Sequence, residues 1–323
     1  METESRTELA RVPLFDALAD CERVILAGAG GGFDVYCAVP LMLALQRQGK
    51  AVQLANYSFS NTKALAGRRL TRDVVEVTAD AGPDATYLPE RELCRWFREE
   101  RALEVSVHAF SGIGVSPLID GYRAMVTDFE ADALVLVDGG TDSLMRGDEA
   151  GLGTPAEDAT SLAAVHALEA PRTKLLTCIG FGVDTFHGVC HAHFLEAVAA
   201  LAREEAFLGA VSLLAQMPEA AAYLSLVDYA HARHRHSIVN GSVASAVEGA
   251  YGDVHRTDRT AGGSLYINPL MSMYFSFELG AVARRNLYLP SIRNTKTLFE
   301  VNAMIEGFRK SGVEVRRREF LPM

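Results

Sequence analysis

The chain has 323 residues with 31 basic and 41 acidic side chains, giving a formal net charge of −10, and is 49% hydrophobic and 22% charged. That mix excludes intrinsic disorder, collagen-like repeats and a disulfide-dense miniprotein. A sequence pI near 5.4 argues against nucleic acid as a partner, because phosphate contacts need a basic stripe.

Cys21, Cys37, Cys94, Cys178 and Cys190 form an odd set without CxxC spacing, so we read them as small buried hydrophobes. Met1–Leu9 is polar and has no apolar signal core. No stretch reaches the roughly 20 apolar residues that span a bilayer, so the expectation is a cytoplasmic protein without a membrane partner. Length alone predicts about two domains at roughly 150 residues each. No linker, low-complexity run or repeat divides the chain, however. The expectation is one α/β domain over residues 1–323, with a Rossmann-like core at about 20–210 and an elaboration at about 211–323.

Arg23–Ala27 is a buried strand, followed by a glycine-rich turn over Gly28–Asp34. Val35–Gln48 is a helix packed on a sheet, kinked or restricted by Pro40, and Ala51–Tyr57 is the next strand. Strand, turn, helix and strand make a right-handed βαβ unit. Leu88–Glu100 is helical, Glu104–Phe110 a strand, and Ser116 with Pro117 caps a helix reaching about Glu130. Ala133–Asp138 is the clearest strand. Thr154 and Glu157 form a capping box for a helix ending before Pro171. Lys174–Ile179 is a strand, and Phe194–Leu208, Glu219–His236 and Ser242–Ala250 are helices. Ser264–Asn268 is a short strand, an apolar helix starts at Pro269, Thr297–Lys310 is helical and Val313–Phe320 is a polar strand. The sum is a mostly parallel sheet with helices on both faces and an elaborated C-terminal third.

Ligands of open parallel sheets bind beyond the carboxyl ends of the strands, and here those ends are rich in glycine and polar residues. Gly28, Gly30, Gly31 and Gly32 let a backbone approach a ligand, and amides at a helix start favour anions. The dinucleotide fingerprint fails, because its third glycine falls on Phe33 and Asn56, Tyr57 and Ser58 stand where a ribose-binding carboxylate belongs; Asn56 is the candidate ligand-binding residue there. Asp34 caps the helix, binds a hydroxyl or helps hold a cation. Asp138 ends a strand as a magnesium carboxylate does, with Asp142, Asp148 and Glu149 as further oxygen donors. Asp148 or Glu149 is the candidate acid or base, and Arg146 would neutralise the acids or clamp an anion. The competing reading of this loop is carboxylates that cap turns.

Asp184, His187 and His191 are a weaker metal set of two histidines and a carboxylate, set against capping and exposed histidines. His231, His234 and His236 suit the last turn of a helix. Asn240–Ser242 matches a glycosylation sequon but is read as a turn and cap. Arg293 and Lys296 form a short cationic pair.

The segments Leu26–Asp34, Val137–Glu149 and Asn268–Met273 together resemble a family catalogued as domain of unknown function 1152. The resemblance implies a Rossmann-like α/β protein of prokaryotes and carries no reaction with it. The functional expectation is a hydrolase or transferase for a phosphorylated or nucleotide-like metabolite, assisted by Mg2+ at Asp138 and Asp142. The rivals are an NAD(P)-dependent oxidoreductase with a degenerate fingerprint and a non-catalytic small-molecule binder. The expected partner is a small, anionic ligand, and the sequence leaves a homo-oligomer open.

Overall fold

A computed structural model describes residues 8–83, 87–257, 260 and 265–320. Of the polar N-terminal stretch only Glu8 and Leu9 fall inside those residues, and Ser264 falls outside them. The strands are β1 (Arg23–Gly28), β2 (Ala51–Tyr57), β3 (Arg69–Thr71), β4 (Val74–Val77), β5 (Val107–Phe110) and β6 (Ala133–Gly139). They continue as β7 (Thr173–Ile179), β8 (Phe207–Ser212), β9 (Gly252–Asp253), β10 (Tyr266–Ile267) and β11 (Met273–Glu278). The helices are α1 (Pro13–Ala17), α2 (Asp34–Cys37), α3 (Val39–Arg47), α4 (Pro89–Arg101), α5 (Val115–Phe129) and α6 (Pro155–His166). After them come α7 (His191–Arg203), α8 (Pro218–Ala232), α9 (Ile238–Val247), α10 (Leu279–Arg285), α11 (Leu289–Ile292) and α12 (Leu298–Lys310).

Among the described residues, nine strands form one sheet in the order β3-β4-β5-β2-β1-β6-β7-β11-β8. The pairs β5·β2, β2·β1, β1·β6 and β6·β7 are parallel. Antiparallel partners close both edges, and β3 and β8 again run with the centre. The expected mostly parallel α/β sheet is therefore present.

Alternation along the strands divides the core. Ile25, Ala27, Leu134 and Leu136 face one apolar layer with α5, α6 and α10. Val24, Leu26, Val135 and Val137 face another with α2, α3 and α8. Every residue of β6 is buried, as a strand covered on both faces requires. From β1 the chain builds outward through β2 and β5, then returns to add β6 and β7 on the other side. The strand order thus reverses between β1 and β6, where an open α/β sheet leaves its ligand crevice.

The C-terminal third departs most from expectation. The apolar stretch after Pro269 is one tight turn, Pro269–Ser272, followed by β11, which slots between β7 and β8. The helix expected over Phe194–Leu208 starts at His191 and stops at Arg203. Glu205 takes a φ of 56°, and the chain turns into β8. Val313–Phe320 forms no strand. It crosses the loop after β6, with the Arg316 amide donating to the Asp148 carbonyl at 2.7 Å.

Proline acts as expected at Pro40, where α2 and α3 are separate helices. Ser116 is not a cap: Gly114 is, and Thr295 Oγ1 accepts from the Val115 amide. Asn240 sits inside α9, whose cap is Ser237. All five cysteines are buried and free. No helix of the described residues is long and apolar enough to cross a membrane.

Candidate functional site

The turn after β1, the loop after β6 and the loop after β7 open on one cleft of about 480 Å³. Its walls include Gly30–Gly32, Asp34, Asp138, Asp142, Asp184 and His187 from those loops, and Thr154, Glu157 and Asp158 from the start of α6. Among the described residues no lysine or arginine lines it.

The glycine turn is fixed by its neighbours. Asn56 is fully buried and donates to the Gly32 carbonyl (2.9 Å) and to Glu90 Oε1 (2.8 Å). Its role is to hold the turn, and it is not among the residues lining the cleft. Gly28 likewise packs against the Asn56 amide oxygen beneath the turn. Asn240 donates to the Phe33 carbonyl, and Ser161 Oγ donates to the Ala29 carbonyl, which docks α6 on the turn.

Most of the acids spend one oxygen on the loops around them. Asp34 Oδ2 accepts from the Gly30 amide (2.7 Å), and Asp138 Oδ2 from the Ser143 amide (3.3 Å). Asp142 Oδ2 accepts from the Thr154 amide (2.7 Å) and hydroxyl, and Asp184 Oδ2 from the Thr141 amide (2.6 Å) and hydroxyl. The Thr154–Glu157 capping box is therefore not formed, because Thr154 serves Asp142 instead. Asp158 differs: it is 3% exposed, and its Oδ1 has no hydrogen-bond partner among the described residues. One oxygen each from Asp34, Asp138 and Asp158 lie within 4.8 Å of one another.

Such crowding disfavours ionisation. Burial first, and then neighbouring carboxylates, push Asp34 up to about 7. The same two causes hold Asp138, Asp158 and Asp184 well above the usual carboxylate range. Burial also raises Asp142 and Glu157. Three or more carboxylates that share a small volume without a basic partner are a fit for a hard divalent cation, which takes oxygen ligands.

The mouth carries aromatic side chains. Phe59 is 55% exposed and lies against the turn, 2.7 Å from where a Gly31 Cβ would stand; Gly31, at a φ of 92°, must lack one. Tyr87 and Phe33 meet edge to face at 6.0 Å beside it.

Other sequence candidates lie outside the cleft lining. Glu149 is buried and accepts from the Arg146 and Gly147 amides, and Arg316 pairs with both Asp148 (2.9 Å) and Glu149 (3.1 Å). Arg146 lies 3.4 Å from Asp148. His191 packs on Phe181, because Gly188 at a φ of 92° separates it from the short turn bearing His187. Of the weaker metal set, Asp184 and His187 alone reach the cleft. His236 also lines it, beyond the end of α8 rather than in its last turn.

From the sequence, Glu157 is expected only as part of a capping box, and Asp158 carries no expectation. The available signal was two adjacent acids opening an otherwise small and apolar helix, in which residues 158–165 are all buried.

No curated protein and no solved structure matches the chain. A family model described as protein of unknown function (DUF1152) matches residues 68–310, which includes the loops after β6 and β7 and leaves the glycine turn outside. With about three-quarters of its length inside that match, the chain belongs to the DUF1152 family.

Proposed function

We propose that the cleft binds a divalent cation, Mg2+ or a similar hard ion, between Asp34, Asp138 and Asp158. Through it the cleft would take a phosphorylated, nucleotide-like metabolite for hydrolysis or group transfer. The observation that carries this reading is the buried oxygen without a partner on Asp158, one of three carboxylates that converge within 4.8 Å. Buried polar atoms are almost always satisfied, and a cation would satisfy this one. A bound cation would neutralise phosphate oxygens and polarise the bond to be broken. Among the described residues no lysine or arginine stands on the walls, so the fixed cationic charge available to an anion is limited to His187 and His236.

Asp142 and Asp184 are tied to threonines, so Glu157 is the residue to which we assign proton transfer. Phe59 and Tyr87 suit a planar group by stacking.

Calorimetry with Mg2+ and Mn2+, followed by phosphorylated ligands with and without EDTA, tests the reading. The expected result is cation binding, with ligands bound only in its presence, and phosphate or group release from at least one of them. Ligands that bind equally well in EDTA, or no cation binding at millimolar concentration, would sink it. Cation-dependent binding without turnover leaves a binder in place of an enzyme.

A further inference from the structure

We infer that the protein has a second binding site, for a small amphipathic organic anion, in the groove between the end of α6, the start of α5 and the α10–α11 corner. The groove encloses about 520 Å³, within the roughly 300–1,000 Å³ of small-molecule sites. Its floor is apolar, with Ile119, Ala163 and Leu289, and its rim carries His166, Arg284 and Arg293. Among the described residues no acidic one lines it, in a chain whose net charge is −10.

The rim charges are poorly compensated. Arg293 makes no side-chain hydrogen bond or ion pair among the described residues. Arg284 meets Glu204 at 3.7 Å with both side chains half exposed or more, a geometry of little strength. Burial first, and then Lys174 and Arg284, push the His166 imidazole below its ordinary value. The local helix ends are already served. Lys174 Nζ donates to the Leu168 carbonyl beyond α6, and Asn286 Oδ1 accepts from the Tyr288 and Leu289 amides at α11. The guanidinium groups are therefore the donors open to a ligand, and guanidinium favours carboxylate or phosphate heads. An apolar body on that head would cover the floor.

This groove and the acidic cleft lie at opposite ends of α6. Asp158 and His166 are separated by about 12 Å at 1.5 Å per residue. Their chemistries are opposite too, because a cleft walled by carboxylates repels a free anion. The two sites therefore answer to different probes.

The test is a fluorescence titration of the full chain with 8-anilino-1-naphthalenesulfonate in EDTA, with octanoate as competitor. Hydrogen–deuterium exchange would locate the bound probe. The expected result is saturable binding, displaced by octanoate and weakened by salt, with protection over residues 163–167 and 283–294. Arg284→Glu with Arg293→Glu should weaken it about tenfold or more, the order expected for losing charge-assisted hydrogen bonds. Both side chains are exposed, so the variant should melt like the wild type. Asp158→Asn and the control Arg98→Glu, on α4 and outside the groove lining, should bind the probe as the wild type does. Undiminished binding in the double variant, equal loss in the Arg98→Glu control, protection elsewhere, or no saturable binding would each overturn the proposal.

Discussion

Asp34 and Asp158 face each other across the Cα of Gly30. A Cβ on that glycine would stand 2.9 Å from an Oδ2 of each carboxylate. Glycine at this position is what lets acids from α2 and α6 converge. Gly30→Ala should therefore spread the two carboxylates and lower cation affinity by about tenfold, roughly 1.4 kcal/mol. The backbone at Gly30 is not in the left-handed region, so the metal-free fold should persist. Calorimetry of the variant at unchanged affinity would count against the assigned ligand set.

Asp158→Asn should move two readouts in opposite directions. Removing one of several repelling, buried carboxylates should raise the melting temperature of cation-free protein at pH 8. The same change should abolish the stabilisation that Mn2+ gives the wild type, which is about 2.7 kcal/mol at a hundred times Kd. A variant that loses stability and retains the Mn2+ response would contradict both halves.

Cation-free stability should fall as pH rises from about 4 to about 7. Asp34 keeps its proton up to about 7 in the folded protein, whereas an unfolded aspartate loses it near 3.9. Between those values the folded chain binds more protons than the unfolded one, so each step up in pH favours unfolding. The Asp34 share of the loss should be complete above pH 7. Asp138, Asp158 and Asp184 act with the same sign. Melting curves of wild type against Asp34→Asn isolate the effect: the gap should open in favour of the variant across this window. A gap that is flat or reversed means that the group titrates normally.

Arg316→Ala should destabilise the protein without touching cation binding. It strips ionic partners from Asp148 and from Glu149, which is 1% exposed and keeps only two backbone amides. Leaving a buried charge undercompensated costs about 3–5 kcal/mol, with Arg309, at the Glu149 carbonyl, still holding the loop. Denaturant unfolding beside Mn2+ calorimetry measures both. A change in Mn2+ affinity would place this loop inside the site after all.

The parallel centre was legible because its strands are short apolar runs with glycine or acid at their ends. β2 coincides with its expected bounds, and β1, β6 and β7 differ by one residue at an end. Those ends put Asp34, Asp138, Asp142 and Asp184 on one edge of the sheet. Asp158 was not legible, because Thr154 and Glu157 fit a capping pattern that Asp142 pre-empts from the loop after β6. The edge hairpin β3–β4 has only Arg72 and Asp73 between its strands, with no glycine to mark a turn. The run Met273–Glu278 satisfies helix and strand alike, and only its pairing with β7 and β8 decides the outcome. The fate of Asp148 and Glu149 depended on Arg309 and Arg316, partners some 160 residues along the chain.

The insertion of β11 between β7 and β8 sets an order of events at the ribosome. β7 and β8 emerge first, and the strand that joins them follows only after residue 273 has been made. At about 5–20 residues per second the outer edge of β7 stays unpaired for on the order of ten seconds. During that interval it offers apolar, hydrogen-bonding backbone to any neighbouring nascent chain. A chain halted before Met273 would keep that edge permanently, so premature termination here should yield aggregates rather than a smaller folded product.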